Sequence, residues 1–197
     1  MAASTGPKPS QRAKVLKAAM EVMAEVGPDR VRVQDIAARA GMSAGHVMYY
    51  FGNRDRILVD TLLQSEADLV AARDRRVASA ESPREALDRL VRLYLPSGAH
   101  DVRWKLWAQL VARPPQDADT LRAYAAVIDS WAEALACVVR EGAAAGAFVC
   151  DDADELAYRT CRLMDGYALE VLLGAPGRTR AWAVAAVVAA LARELER

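Results

Sequence analysis

The chain has 197 residues, 53% of them hydrophobic and 26% charged, with 26 Lys+Arg balanced by 26 Asp+Glu. That composition is globular rather than disordered, and at roughly 150 residues per domain it makes one large domain or two small ones. No apolar run reaches the ~18 residues of a membrane span, and the N-terminal MAASTGPKPSQRAK has no apolar core for a secretory signal. Three cysteines (Cys137, Cys150, Cys161) without CxxC spacing argue against a disulfide framework or a zinc site. A cytoplasmic protein with no metal, no cofactor and no membrane partner is the expectation.

Nearly every segment reads as helix, because alanine, leucine, arginine and glutamate dominate and period-2 alternation is scarce. A first helix is expected over 10–26, with Val15, Ala18, Ala19, Val22 and Val26 at helical spacing and Gly27-Pro28-Asp29 as its stop. Short helices follow over 34–40, ended by Gly41, and after the cap residue Ser43 to Tyr50, ended by Gly52-Asn53. A long helix then runs over 54–79. Ser82-Pro83-Arg84-Glu85 has the form of a capping box with proline at the first helical position, and its helix ends at Pro96. Further helices are expected over 100–112, 119–145, 152–173 and 179–194. The fold class is all-α, about nine helices, with a helix-turn-helix domain over 1–53 and a larger helical body over 54–197.

The balanced total charge hides an asymmetry. Residues 1–56 hold nine basic residues against five acidic ones, a net of +4 that leaves −4 for the rest. A basic head suits a polyanion, and an acidic body does not. Within the head, Val33 to Val47 places two short helices around Gly41. Ala37 and Ala40 permit close crossing, while Ile36, Met42 and Val47 fill the space between. This is the outline of a helix-turn-helix, whose second helix enters a major groove about 12 Å wide.

The residues Ile36-Ala37-x-x-Ala40-Gly41-Met42-Ser43-x-Gly45 and Tyr50-Phe51-Gly52-Asn53-Arg54-Asp55-x-x-Leu58 resemble the TetR family of transcriptional regulators. The likeness covers about the first quarter of the chain and keeps the spacing between both blocks. Tyr-Phe-Gly-x-Arg-Asp and Asp165-Gly166-Tyr167 look most like the BetI-type branch. Met48 departs from the family, where a first tyrosine is common, and so does Arg54, where lysine is usual. The resemblance implies that Ser43, Ala44, His46 and Tyr49 face the groove. Tyr50 and Arg54 would contact phosphates, with Arg32 and Gln34 helping and the basic Lys8, Arg12 and Lys14 adding backbone contacts. Arg54 opens a helix, where its charge opposes the dipole and has no evident stabilising purpose. Phe51 is expected in the core.

The resemblance also implies a body that binds a small molecule and dimerises through the last two helices, giving a homodimer on a palindromic double-stranded operator. The small residues Ala181, Val184, Ala185, Val188, Ala189, Leu191 and Ala192 suit such a seam. A pocket walled by Trp104, Trp107, Trp131, Tyr158 and Tyr167, with Asp165 as counter-charge, would hold a cationic or amine effector. The expected function is a ligand-released repressor; the rival is a helical partner-binding scaffold with only non-specific DNA affinity. Catalysis is not expected. The carboxylates at 151–155 are explained by helix capping, and neither a glycine-rich phosphate loop nor HExxH occurs.

Overall fold

A computed structural model describes residues 9–196. The expected backbone contacts of Lys8 therefore fall outside the described residues. Those residues form nine helices and no strand: α1 (Pro9–Val26), α2 (Val33–Ala40), α3 (Ala44–Phe51), α4 (Arg54–Ala78), α5 (Pro83–Tyr94), α6 (Val102–Ala112), α7 (Ala118–Ala144), α8 (Ala153–Leu173) and α9 (Arg180–Leu195). The all-α class and the helix-turn-helix followed by a larger helical bundle are as the sequence predicts. None of the described helices is long and apolar enough to cross a membrane.

Boundaries follow the caps. Ser82, Asp117, Asp152 and Thr179 each accept a backbone N–H three residues on, which satisfies one orphan donor of the helix they open. The largest discrepancy is α6, which begins at Val102 rather than at 100. Asp101 accounts for it: its Oδ2 accepts the Ser97 N–H at 2.9 Å and the Ser97 hydroxyl at 3.0 Å, holding His100 and Asp101 in a turn.

The chain divides into two compact units, and the division falls inside α4. The first comprises the described residues through Ser65 with Val102–Pro115. Its core is Val15, Ala19, Val22, Met23, Ile36, Val47, Phe51, Ile57 and Leu62, all at most 5% exposed. A buried carboxylate ties α1 to α4: Asp60 Oδ2 accepts from Arg12 at 2.6 Å while its Oδ1 pairs with Arg56 at 3.0 Å. Both arginines are nearly half exposed, so their own desolvation is modest and the buried partner is fully paired.

The second unit holds Glu66–Asp101 and the described residues from Gln116 onward. Here α7 packs on α5 and α8, and α9 packs on α8 and α5. Gly142, in the last turns of α7, is needed for close approach, since a Cβ there would overlap the Phe148 ring. The apolar stripe expected on the last helix is split. Val184 and Leu191 are buried within the unit, whereas Ala181, Ala185 and Ala189 face outward.

Candidate functional site

The turn between α2 and α3 rests on one residue without a side chain. Gly41 adopts φ 68°, ψ 36°, where an L-residue with a Cβ is strained, and its N–H closes on Ala38 O at 3.2 Å. Ser43 then opens α3 by accepting the His46 N–H at 3.2 Å. Its hydroxyl proton stays available on the outer side. Val47 and Phe51 point inward at 0% and 5% exposure, which leaves Ser43, Ala44, Gly45, His46, Met48 and Tyr49 on the outer side. Tyr49 is 75% exposed, an unusual position for a large aromatic, and its ring meets the neighbouring Tyr50 edge-on at 5.3 Å rather than the core. Arg32 and Gln34 are exposed at the start of α2.

Tyr50 is half-buried and turned toward α1. Its hydroxyl donates to Gln11 Oε1 at 3.1 Å and lies 3.0 Å from His46 Nε2. Arg54 has a structural task that the sequence reading denied it. Its Nε donates to Val31 O at 3.0 Å, its Nη2 to Pro28 O at 2.5 Å and Asp29 O at 3.1 Å, and its Nη1 pairs with Asp55. Three carbonyls of the α1–α2 loop, otherwise without helical donors, are thereby satisfied. Arg12 stacks 5.2 Å over Phe51 while holding Asp60. Lys14 is exposed on α1.

The aromatics expected to wall a pocket divide between the units. Trp104 and Trp107 lie on α6 in the first, buried and half-buried; Trp131, Tyr158, Asp165 and Tyr167 lie in the second. There, Tyr94 joins two of them: its ring meets Trp131 edge-on at 5.2 Å and its hydroxyl donates to Asp165 at 2.5 Å. Trp131 carries the guanidinium of Arg73 at 5.0 Å, and Arg73 also donates to Ser130 O at 2.8 Å. Tyr158 is 57% exposed beneath Arg162, which pairs with Asp165. Tyr167 instead packs on Trp182 of α9. A cleft of about 460 Å³ opens elsewhere, lined by Asp74, Val77, Glu81, Ala134, Cys137 and Glu141 among others.

Burial raises the Asp165 carboxyl above its ordinary value, against the lowering influence of the Tyr94 hydroxyl and the Arg162 charge. The folded state therefore holds this proton more tightly than the unfolded chain. The stabilisation is fully present below the ordinary carboxylate range and is lost as pH rises through the raised value. Asp165→Asn removes that loss. The stability difference between Asp165→Asn and the parent should widen as pH rises from the ordinary carboxylate range through the raised value and then level off. A difference that stays flat in urea titrations from acid to neutral pH would contradict the assignment. Burial likewise pushes the Cys161 thiol up to about 11, so it stays a neutral apolar filler.

Residues 15–61 match the profile of bacterial regulatory proteins of the tetR family, and 83–196 match that of the BetI-type transcriptional repressor C-terminal domain. The chain belongs to the TetR family. Among its relatives, the HTH-type transcriptional regulator BetI 1 of Chromohalobacter salexigens is 36% identical over 87 residues. That match spans 44% of this chain and 43% of the relative, less than half of each. BetI of Burkholderia thailandensis is 29% identical over 72% of this chain and 77% of its own length. A crystal structure of a Saccharomonospora viridis protein in complex with choline superposes with a TM-score of 0.83 at 28% identity, covering 95% of this chain and 98% of that one.

Four residues of this TetR-family chain escape sequence reading. Gln11, Asp60, Arg73 and Tyr94 act through partners 39, 48, 57 and 71 positions away. Gln11 and Arg73 sit in polar runs that read as solvated surface. Asp60 alone left a signal, since it falls on the inward side of a helix that carries Ile57 and Thr61.

Proposed function

We propose that this chain is a transcriptional repressor of the BetI-type branch, which occupies a palindromic operator as a homodimer and leaves it when a small cationic ligand binds. The observation that carries the DNA-binding half is α3: two apolar residues locked inside, and a small, polar and aromatic outer face ending in exposed Tyr49. With Arg32 and Gln34 flanking it for phosphate contacts, that face suits a major groove. One such helix covers only a few base pairs, so two copies about 34 Å apart are needed for an operator. The seam proposed for the second copy is the outward side of α8 and α9, where Tyr158, Leu169 and Leu173 are more than half exposed beside Ala181, Ala185 and Ala189.

Tyr49→Ala should lower operator affinity by about 1–3 kcal/mol with little change in stability, because the side chain contacts groove rather than core. Fluorescence anisotropy and thermal unfolding on the same sample check it. Equal affinity for the two chains would remove Tyr49 from the interface.

For the ligand half, support comes from the Trp131, Tyr94 and Asp165 cluster together with the choline complex of the Saccharomonospora viridis protein. A quaternary ammonium has no proton to donate, so an aromatic face and a nearby carboxylate are what hold it. Trp131 already carries a cation, Arg73 of α4. An incoming ammonium competes with Arg73 for that ring, and α4 is continuous to Arg54 at the edge of the DNA-binding face. A ligand favouring a shifted α4 lowers the population able to bind an operator. A tenfold loss needs only about 1.4 kcal/mol of differential binding.

The test is release of bound operator by choline compared with 3,3-dimethylbutanol, its uncharged carbon isostere. Choline should weaken operator binding at least about tenfold and the isostere should not. Equal potency of the two, or no effect of either, would count against a cationic effector.

A further inference from the structure

On the outer face of α3, the sense in which His46 hydrogen-bonds is set by its tautomer, because a neutral imidazole presents a donor at one ring nitrogen and an acceptor at the other. Its Nε2 lies 3.0 Å from the Tyr50 hydroxyl, one helical turn on, with the two rings 4.9 Å apart. That hydroxyl has a single proton and spends it on Gln11 Oε1, 3.1 Å away on α1. We infer that Gln11 sets the base preference of His46: it draws the Tyr50 proton to itself, obliges His46 to carry its own proton on Nε2, and so leaves Nδ1 as an acceptor toward DNA. Gln11 and Tyr50 are positioning residues; only His46 would touch a base. The inference rests on the proposal that α3 lies in a major groove.

The consequence is a rule for one operator position. An acceptor at Nδ1 pairs with the amino groups of adenine or cytosine and finds no partner in thymine O4 or in guanine O6 and N7. With a single hydrogen bond at stake, the preference should be about fivefold, the lower end of what a base contact contributes. The same chain of bonds also accounts for a glutamine on α1 facing the recognition helix where an apolar residue would pack as well. A side chain that both accepts and stays neutral polarises Tyr50 without adding charge beside the DNA.

Substitutions at Gln11 can set, free or reverse the relay, because the direction of donation is chosen at its α1 end. Ionised glutamate only accepts, lysine only donates, and leucine does neither. Selection from a half-site library at pH 8.5 should return adenine or cytosine at one position for the parent and for Gln11→Glu. Gln11→Leu should relax that position to within about twofold, and Gln11→Lys should deplete cytosine, the one base with no major-groove acceptor, and admit guanine and thymine, since Tyr50 then donates to Nε2 and Nδ1 takes the proton. The ¹⁵N shifts of His46 report the tautomer directly: protonated Nε2 in the parent and Gln11→Glu, protonated Nδ1 in Gln11→Lys. A merely structural Gln11 would lower affinity for all sequences alike and leave both readouts unmoved, which would overturn the inference. His46→Ala separates the two levels. If it erases the preference while the Gln11 series does not alter it, the relay is wrong and the groove reading stands; if it erases nothing, His46 does not read the groove and the relay falls with it.

Discussion

Replacing Arg54 by lysine is expected to destabilise the DNA-binding unit by about 2 kcal/mol, although charge and length are nearly kept. The guanidinium reaches the carbonyls of Pro28, Asp29 and Val31 with separate N–H groups on two nitrogens. An ammonium at the end of a different stem can satisfy one of these, and each charge-assisted bond lost costs about 1.5–3 kcal/mol before solvent makes partial repayment. The loop it holds delivers Val31, 2% exposed, and Arg32, the cap residue of α2. Operator affinity should fall with stability for that reason. Urea unfolding and salt-dependent operator binding distinguish the two roles. Were Arg54 only a phosphate contact, lysine would leave the urea midpoint and the salt slope unchanged, and that result would contradict the loop assignment.

Phe51→Ala should have a larger effect still, about 4 kcal/mol. The ring is 5% exposed at the last position of α3, beneath the guanidinium of Arg12 at 5.2 Å. Truncating a buried phenylalanine removes its transfer free energy and leaves a cavity, about 3–5 kcal/mol in all, and the cation–π contact adds about 0.5–1 kcal/mol. Domains of this size have about 5–15 kcal/mol in total, so the N-terminal unit would sit near its unfolding threshold. Hydrogen exchange should show the amides of α1, α2 and α3 opening together, with those of α7 and α8 protected as before. A loss below about 1 kcal/mol would mean that Phe51 is not the packing centre of this unit.

Much of the fold is legible in the sequence because its signals are local. Gly41 ends α2 through its own φ, Ser43 and Ser82 cap helices three residues away, and Val15, Ala19 and Val22 declare a buried face by spacing alone. The outer face of α3 is readable for the same reason. What the sequence hides are pairings across helices. Arg54 looks idle at a helix start until the loop 23–26 positions earlier folds over it, and Gln11 acquires meaning only when α1 brings it to Tyr50. In the body, composition identifies aromatics but not their partners. Tyr167 is taken up by Trp182, whereas Tyr94 turns out to connect Trp131 with Asp165. Side chains of one type at similar burial carry no mark of which neighbour they meet.

The α3 face is expected to read a sequence rather than merely a polyanion. Its most direct test is binding of the purified protein to the intergenic DNA beside its own gene, against a scrambled duplex, at 50 and 200 mM salt. A sequence-reading α3 gives a Kd of ~10⁻⁸ M or tighter at the lower salt and at least ~10³-fold preference over the scrambled duplex at both. Weak binding to both duplexes that disappears together at the higher salt would mean backbone contact alone and would contradict it.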